Sequence, residues 1–477
     1  MPEARPAPRS AAAVVWDRLH ELDGVAPMDA AECLRDLPGL ALLESARPGR
    51  TGRWSLLVAD PIAVLAAPAP GTDVFAEARA LLARLDGQPG PRSSTVGVPP
   101  FAGGLVGYLA YDLGRRLERL PAIARRDQDL PDLRLGLYDR VLAWDRRTGQ
   151  AWLGGRAVDG DVARLHLRVA DLRRRIVTRA EEAPKGARVE PAIRFHRTTT
   201  RDQWVAGVTA VRDAIARGDI YQANLTRRLE APFSSDPWPL FRRLRTGDPA
   251  LFAGYLDLGP SPATGAPRAL LSASPEPFLA VDADGHVATD PIKGTRPRGR
   301  TREEDRELAR ELLASGKDRA ENVMIVDVLR NDLGRVCLPG TVTVPRLLRL
   351  ERTATVQHLV TTVTGRLRPD ADAFDLLAAS FPGGSITGAP KIRAMELIEE
   401  LEPVRRGPYC GTLVWLGADG RMGSSILIRT FVADGSRLTL HVGGGITWRS
   451  DPDEEWDETV AKARGPLAAI GAVESDA

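Results

Sequence analysis

Apolar positions recur along this chain in two rhythms. Runs at 54–58, 104–111 and 141–144 are short and continuous or alternating, the pattern of buried or half-buried strands. Stretches 74–85 and 161–176 repeat apolar residues at three and four, the spacing of an amphipathic helix. Beyond Thr198 the two rhythms alternate, with a helix expected over 202–217 and ended by Gly218, then strands at 225–229, 269–272 and 278–281. Thr301-Arg302-Glu303-Glu304 is a capping box that opens a helix to about residue 314, and a second helix is expected over 318–333, stopping at Gly334. Pro390 stands at a first helical position before 391–402, and Asp451-Pro452 opens a last helix through Ala463. Interleaved helices and strands place the chain in a mixed α and β class. The charged stretch TRAEEAPKGARVEP at 178–191 is the expected linker. It separates an N-terminal region, 11–177, from a C-terminal region, 192–470, and residues 1–10 read as a disordered tail.

Composition narrows the function. The 477 residues are 43% hydrophobic and 27% charged, a globular profile with length for several domains or one large α/β unit. Sixty-five basic and 63 acidic residues leave a net charge of +2, which gives no long-range field toward nucleic acid or an acidic membrane. Cys33, Cys337 and Cys410 are too scattered for a disulfide framework or a zinc site, as expected for a cytoplasmic protein. The apolar run 11–16 is too short for a secretory signal, and the uncharged stretch 93–111 is broken by Pro99-Pro100 and Gly103-Gly104, so no membrane span is expected.

Only five of the 65 basic residues are lysines: Lys185, Lys293, Lys317, Lys391 and Lys462. Where codon bias favours arginine, the surviving lysines concentrate where a compact donor or nucleophile is needed. Lys185 lies in the linker; the other four lie in the segments that carry candidate chemistry.

In DPIKGTRPRG, Lys293 precedes a glycine that admits close approach to the backbone; the segment reads as a nucleophile site or a basic surface turn. FPGGSITGAPK begins like a phosphate loop but lacks the Lys-Ser/Thr that such a loop requires, leaving a Gly-rich turn into a helix N-terminus. Gly443, Gly444 and Gly445 follow a strand, and Glu455, Glu458 and Lys462 share one face of the next helix. Glu321 stands on a mostly apolar helix, where it either shares a hard cation with Glu458 or pairs with an arginine. His358 lies in a β-like run, Arg429 is the single charge in SSILIRTF, and Tyr409 precedes a strand.

Taken together these segments resemble the chorismate-utilising enzymes, the large subunits of anthranilate synthase and aminodeoxychorismate synthase. The resemblance runs through LALLESARPGRTGRWSLLVADP, FAGGLVGYLAYDLGR, GDIYQANLTRR, SASPEPFL, PIKGTRPRG, AENVMIVDVLRNDLGRV, VQHLVTTVTG, FPGGSITGAPKIRAMELIEELE, RGPYCG and GGGITWRSDPDEEWDE, in that order. Anthranilate synthases usually carry Ala at the position of Lys293, and aminodeoxychorismate synthases carry Lys. Isochorismate and salicylate synthases place a water-activating Lys where this chain has Gln222.

The resemblance implies an α+β fold, a large sandwich of two packed antiparallel sheets covered by helices. It implies conversion of chorismate and ammonia to 4-amino-4-deoxychorismate, toward 4-aminobenzoate. Lys293 would add covalently at C2, Glu276 would protonate the leaving hydroxyl, and Thr295 and His358 would line the ring. Mg²⁺ would be held by Glu321, Glu455 and Glu458; Tyr409, Arg429, Lys462 and the backbone of Gly443, Gly444 and Gly445 would hold the carboxylates. Glu44, Ser45 and Trp54 fall in the family's tryptophan pocket, and a separate glutamine amidotransferase subunit would supply ammonia. Two departures stand out: Gly423 replaces the usual Asp, expected beside the carboxylate-binding strand, and Leu413-Val414-Trp415 replaces Ile-Gly-Tyr. Anthranilate synthesis is the alternative activity, and a non-catalytic scaffold or tryptophan sensor the non-enzymatic one.

Overall fold

The apolar runs become strands because β-branched and aromatic residues there alternate between two buried surfaces. The computed structural model describes residues 14–46, 52–66, 71, 73–85, 97–179, 192–352 and 356–475. The expected tail 1–10, and most of the linker 178–191, lie outside the described residues. Two sheets, of thirteen and ten strands, form the frame, and their ladders are antiparallel apart from Val473–Glu474 on Arg194–Phe195. Both sheets draw strands from either side of the linker: Trp54–Val58 joins the larger sheet and Gly104–Leu109 the smaller.

The sheets face each other across Leu56, Val58, Leu256, Leu270 and Val432 from the larger and Val106, Tyr108 and Leu413 from the smaller, all buried. Helices cover the outer faces. Leu165, Val169, Leu172 and Ile176 of the helix Val162–Arg179 pack on the larger sheet; Ile325, Leu329 and Leu333 of Gly316–Gly334 pack on the smaller. The expected α+β sandwich is the fold observed.

Several ends differ from expectation for local reasons. The Thr301 hydroxyl accepts from the Glu304 N–H as a cap should, but the Glu304 carboxylate turns to the Arg300 N–H (2.7 Å) instead of closing the box on Thr301. The last helix passes Ala463 and runs to Ala469 because Pro466 and Leu467 are buried in the core, and that packing outweighs the bond Pro466 cannot donate.

Nine elements build the site: strands β1 (Gln222–Pro232) and β2 (Ile292–Pro297), helix α1 (Gly316–Gly334), strand β3 (Val356–Arg366), helix α2 (Lys391–Leu401), strands β4 (Thr412–Gly417), β5 (Met422–Ile426) and β6 (Arg437–Ile446), and helix α3 (Pro452–Ala469). Strands β1 and β6 pair in the larger sheet, and β2 and β3 in the smaller.

A buried ion pair ties the elements around the Gly-rich loop. Arg406 donates to both Glu402 oxygens (2.9 and 2.6 Å), to the Ile386 carbonyl (2.9 Å) and to the Asn224 carbonyl (2.5 Å), with the Tyr111 ring 4.6 Å away. Glu402 also accepts from the Thr226 amide and hydroxyl, each at 2.9 Å. Removing one partner strands the other charge in the interior. Glu402→Ala is expected to cost about 3–5 kcal/mol by denaturant unfolding, and Glu402→Met with Arg406→Met to recover most of it.

Candidate active site

Strand β2 carries an irregularity where Lys293 stands. Lys293 pairs with Leu359 of β3 and Thr295 with His358, so Gly294 is an extra residue. Gly294 has φ +75°, and a Cβ there would lie 2.9 Å from Leu312 and 3.0 Å from Asp318, so both backbone angle and close approach require glycine. The bulge brings the Thr295 hydroxyl to His358 Nδ1 at 2.9 Å, and the imidazole is buried. Lys293 Nζ donates to the Ser385 carbonyl (3.3 Å).

Glu276 faces the same loop. Its carboxyl is buried and bonded by the Ser385 side chain and the Ile292 N–H. Burial pushes its pKa up, and the opposing pull of the Lys293 charge and of the two bonds does not reverse that. A buried carboxyl with a raised pKa beside an amine is the arrangement general acid catalysis needs. Ser385 touches both groups, which makes it a candidate site residue; in the sequence it stands only as part of the Gly-rich turn.

Helices α1 and α3 bring three carboxylates and two further lysines to the place where Lys293 stands. Lys462 Nζ bonds Glu458 (2.7 Å) and the Gly443 carbonyl (2.8 Å), and Lys317 Nζ bonds Glu455 (3.2 Å), which also accepts from Ser450 (2.6 Å). A Cβ on Gly444 would lie 3.3 Å from Glu455, 3.6 Å from Lys462 and 3.7 Å from Glu458, so the α3 face lies against bare backbone. Burial raises the Glu321 pKa; Lys293 and Lys317 oppose this, while Asp318 and Glu455 add to it. Burial also pushes Glu458 upward, but the Lys462, Lys317 and Lys293 charges prevail and its pKa is lowered. Lys293, Lys317 and Lys462 thus meet at one place. Lys391 does not join them: it bonds Asp332 (2.7 Å) and the Ser380 carbonyl (2.9 Å), anchoring α2.

Tyr409 is buried and stacked on His441, with ring centroids 4.9 Å apart. Its neighbour Cys410 lies within the electrostatic reach of Glu276. Arg429 takes a left-handed backbone (φ +49°) and leaves its side chain 38% exposed, 4.0 Å from Asp248; its apolar sequence neighbours do not bury it.

Against proteins already described, residues 41–468 match the chorismate binding enzyme family. The chain belongs to that family. Aminodeoxychorismate synthase component 1 of Salmonella typhimurium is 40% identical over 426 residues, covering 86% of this chain and 88% of that protein. Anthranilate synthase component 1 of Thermus thermophilus is 42% identical over 378 residues, 79% of each. The crystal structure of anthranilate synthase component I from Streptococcus pneumoniae superposes with a TM-score of 0.75 at 28% identity, over 88% of this chain and 93% of that one.

In this chorismate-binding enzyme the three glutamates offer an all-oxygen donor set suited to a hard divalent cation. No described residue hydrogen-bonds the half-buried Glu321 carboxylate, which fits a site meant to receive one. Their oxygens are not drawn within 4.8 Å of one another; among the described residues that closeness occurs only at the exposed turn of Asp282, Asp284 and His286.

Glu44, Ser45 and Trp54 line a separate cavity of about 350 Å³ with Asp290, Leu413, Trp415 and Gly423. Gly423 is therefore not beside β6, whose glycines are expected to hold a carboxylate, but on β5 directly opposite Trp415 of β4. A Cβ at 423 would lie 2.5 Å from the Trp415 indole nitrogen. The two departures seen in the sequence are one compensated change: the indole lies where any side chain at 423 would stand. Gly423→Asp is expected to lower stability by about 1–3 kcal/mol, and adding Trp415→Ala to restore it, measured as Tm of the single and double variants.

Proposed function

We propose that this enzyme aminates chorismate at C4 to give 4-amino-4-deoxychorismate, retaining the enolpyruvyl group, through a covalent intermediate on Lys293. The observation that carries the reading is the amine of Lys293 and the buried carboxyl of Glu276, its pKa raised, gathered on Ser385. The lysine nitrogen pair forms a bond to C2, the two ring double bonds shift, and the C4–O bond breaks. Glu276 gives its proton to the hydroxyl, which leaves as water. Ammonia then bonds to C4, the double bonds shift back, and the C2–N bond breaks with its electrons returning to Lys293. The proton shed by the added ammonia restores Glu276.

Tyr409, Arg429, Lys462 and the backbone of Gly443, Gly444 and Gly445 hold the two carboxylates, while Thr295 and His358 line the ring. Mg²⁺ on Glu321 and Glu458, with Glu455, supplies charge neutralisation of the ring carboxylate when bound. Gln222 supports ammonia over water as nucleophile: its amide is buried, makes no protein hydrogen bond, and is no base that could activate water. Relatives named as component 1 support a second component, here a separate glutamine amidotransferase delivering ammonia. The 350 Å³ cavity is the place for tryptophan. Three buried cysteines outside any disulfide suit the cytoplasm, and among the described residues no helix is long and apolar enough to cross a membrane.

Anthranilate synthesis is the second reading, carried by the 42% identity to the Thermus enzyme. Incubation with chorismate, Mg²⁺ and ammonium distinguishes them. The proposal requires an aminated product that keeps its enolpyruvyl group, with neither pyruvate nor anthranilate fluorescence. Fluorescent product with stoichiometric pyruvate would assign the enzyme to the anthranilate branch.

A further inference from the structure

His441 has no place in the mechanism above, yet its position is unusual. It is 3% exposed, and neither ring nitrogen has a hydrogen-bond partner. A buried imidazole with both polar atoms unused is costly and calls for a reason. Among the described residues its ring contact is with Tyr409: the rings stack at 4.9 Å with 12° between their planes.

The register of β6 explains why this contact matters. Side chains alternate along a strand, so residues 441, 443 and 445 share one face. Residues 443 and 445 are glycines, so His441 is the last side chain on that face, which ends beside Gln222, while Gly444 on the opposite face meets the α3 carboxylates. Tyr409 itself belongs to the apolar cluster of the smaller sheet, and the His441 ring is the aromatic plate stacked on it. We infer that His441 is a positioning residue, a flat plate that fixes the plane of the Tyr409 ring and so aims its hydroxyl at a substrate carboxylate. Burial, reinforced by the charges of Arg228 and Arg406 and opposed by Asp127, pushes the His441 pKa well below its ordinary value, so the plate carries no charge that would compete with Arg429 for that carboxylate.

The inference rests on the assignment of Tyr409 to carboxylate binding, and the test separates the two. What the plate supplies is a ring face and not its nitrogens. His441→Phe is therefore expected to keep KM for chorismate within about twofold and to hold or raise Tm, because an unsatisfied polar ring is replaced by an apolar one of similar shape. His441→Ala is expected to raise KM about tenfold, with kcat within about threefold, as loss of one aromatic pair would produce. A Phe variant impaired as severely as the Ala variant would overturn the inference, because the nitrogens would then matter. So would an Ala variant whose KM is unchanged, or one whose kcat falls in step with folded protein. Tyr409→Phe distinguishes the failures: raised KM there with unchanged KM in His441→Ala overturns the positioning role alone. Unchanged KM in Tyr409→Phe overturns the assignment of Tyr409, and this inference with it.

Discussion

Lys293→Ala is expected to reduce kcat for chorismate amination by about 10³-fold or more, the scale seen when a covalent nucleophile is removed. KM should change little, because the carboxylates are held by other groups. Lys293→Arg should not rescue, because a guanidinium stays protonated and is not a nucleophile even where it can still donate to the Ser385 carbonyl that Lys293 Nζ bonds at 3.3 Å. Steady-state rates with ammonium as the nitrogen source, free of any partner subunit, isolate the step. Unchanged kinetics in Lys293→Ala with the same aminated product would remove Lys293 from the chemistry.

Glu276→Gln separates catalysis from stability. The amide cannot protonate the leaving hydroxyl, so kcat is expected to fall by about 10²–10⁴-fold. Stability should move the other way. Burial raises the Glu276 pKa in the folded enzyme above its unfolded value, so the group favours the fold while protonated, and that contribution is lost as pH rises through the folded pKa. The variant, which cannot ionise, should therefore melt above wild type at pH 8 and approach it near pH 4. Thermal melts across that range check the sign. A variant no more stable at pH 8 than at pH 4, relative to wild type, would mean that Glu276 is ionised in the folded enzyme. In the active enzyme the same titration sets the alkaline limb of kcat, and this limb should disappear in Glu276→Gln together with most of the rate.

Motif order made the family and the sandwich readable from the sequence, because each segment demands a local backbone that only this arrangement satisfies. The scarcity of lysine pointed to the site for a chemical reason, and three of the five do meet the carboxylates of Glu321, Glu455 and Glu458. Lys391 shows where that argument stops, since a buried salt bridge to Asp332 also prefers a compact ammonium. What stayed hidden depends on long-range pairing. The bulge at Gly294 is a register fact between β2 and β3, and Ser385 matters only because its loop folds back to both Lys293 and Glu276. Gly423 and Trp415 looked like two unrelated departures until pairing of β4 with β5 placed one over the other. His441 gave no signal, because its role lies in a ring stack across the fold.

The most direct measurement is peptide mass spectrometry on enzyme quenched during turnover with chorismate and Mg²⁺ in the absence of ammonia. The account predicts an adduct of chorismate less one water on the peptide containing Lys293, absent from Lys293→Ala and discharged when ammonium is added. Turnover to aminated product with no adduct on that peptide, or an adduct on another residue that survives in Lys293→Ala, would contradict it.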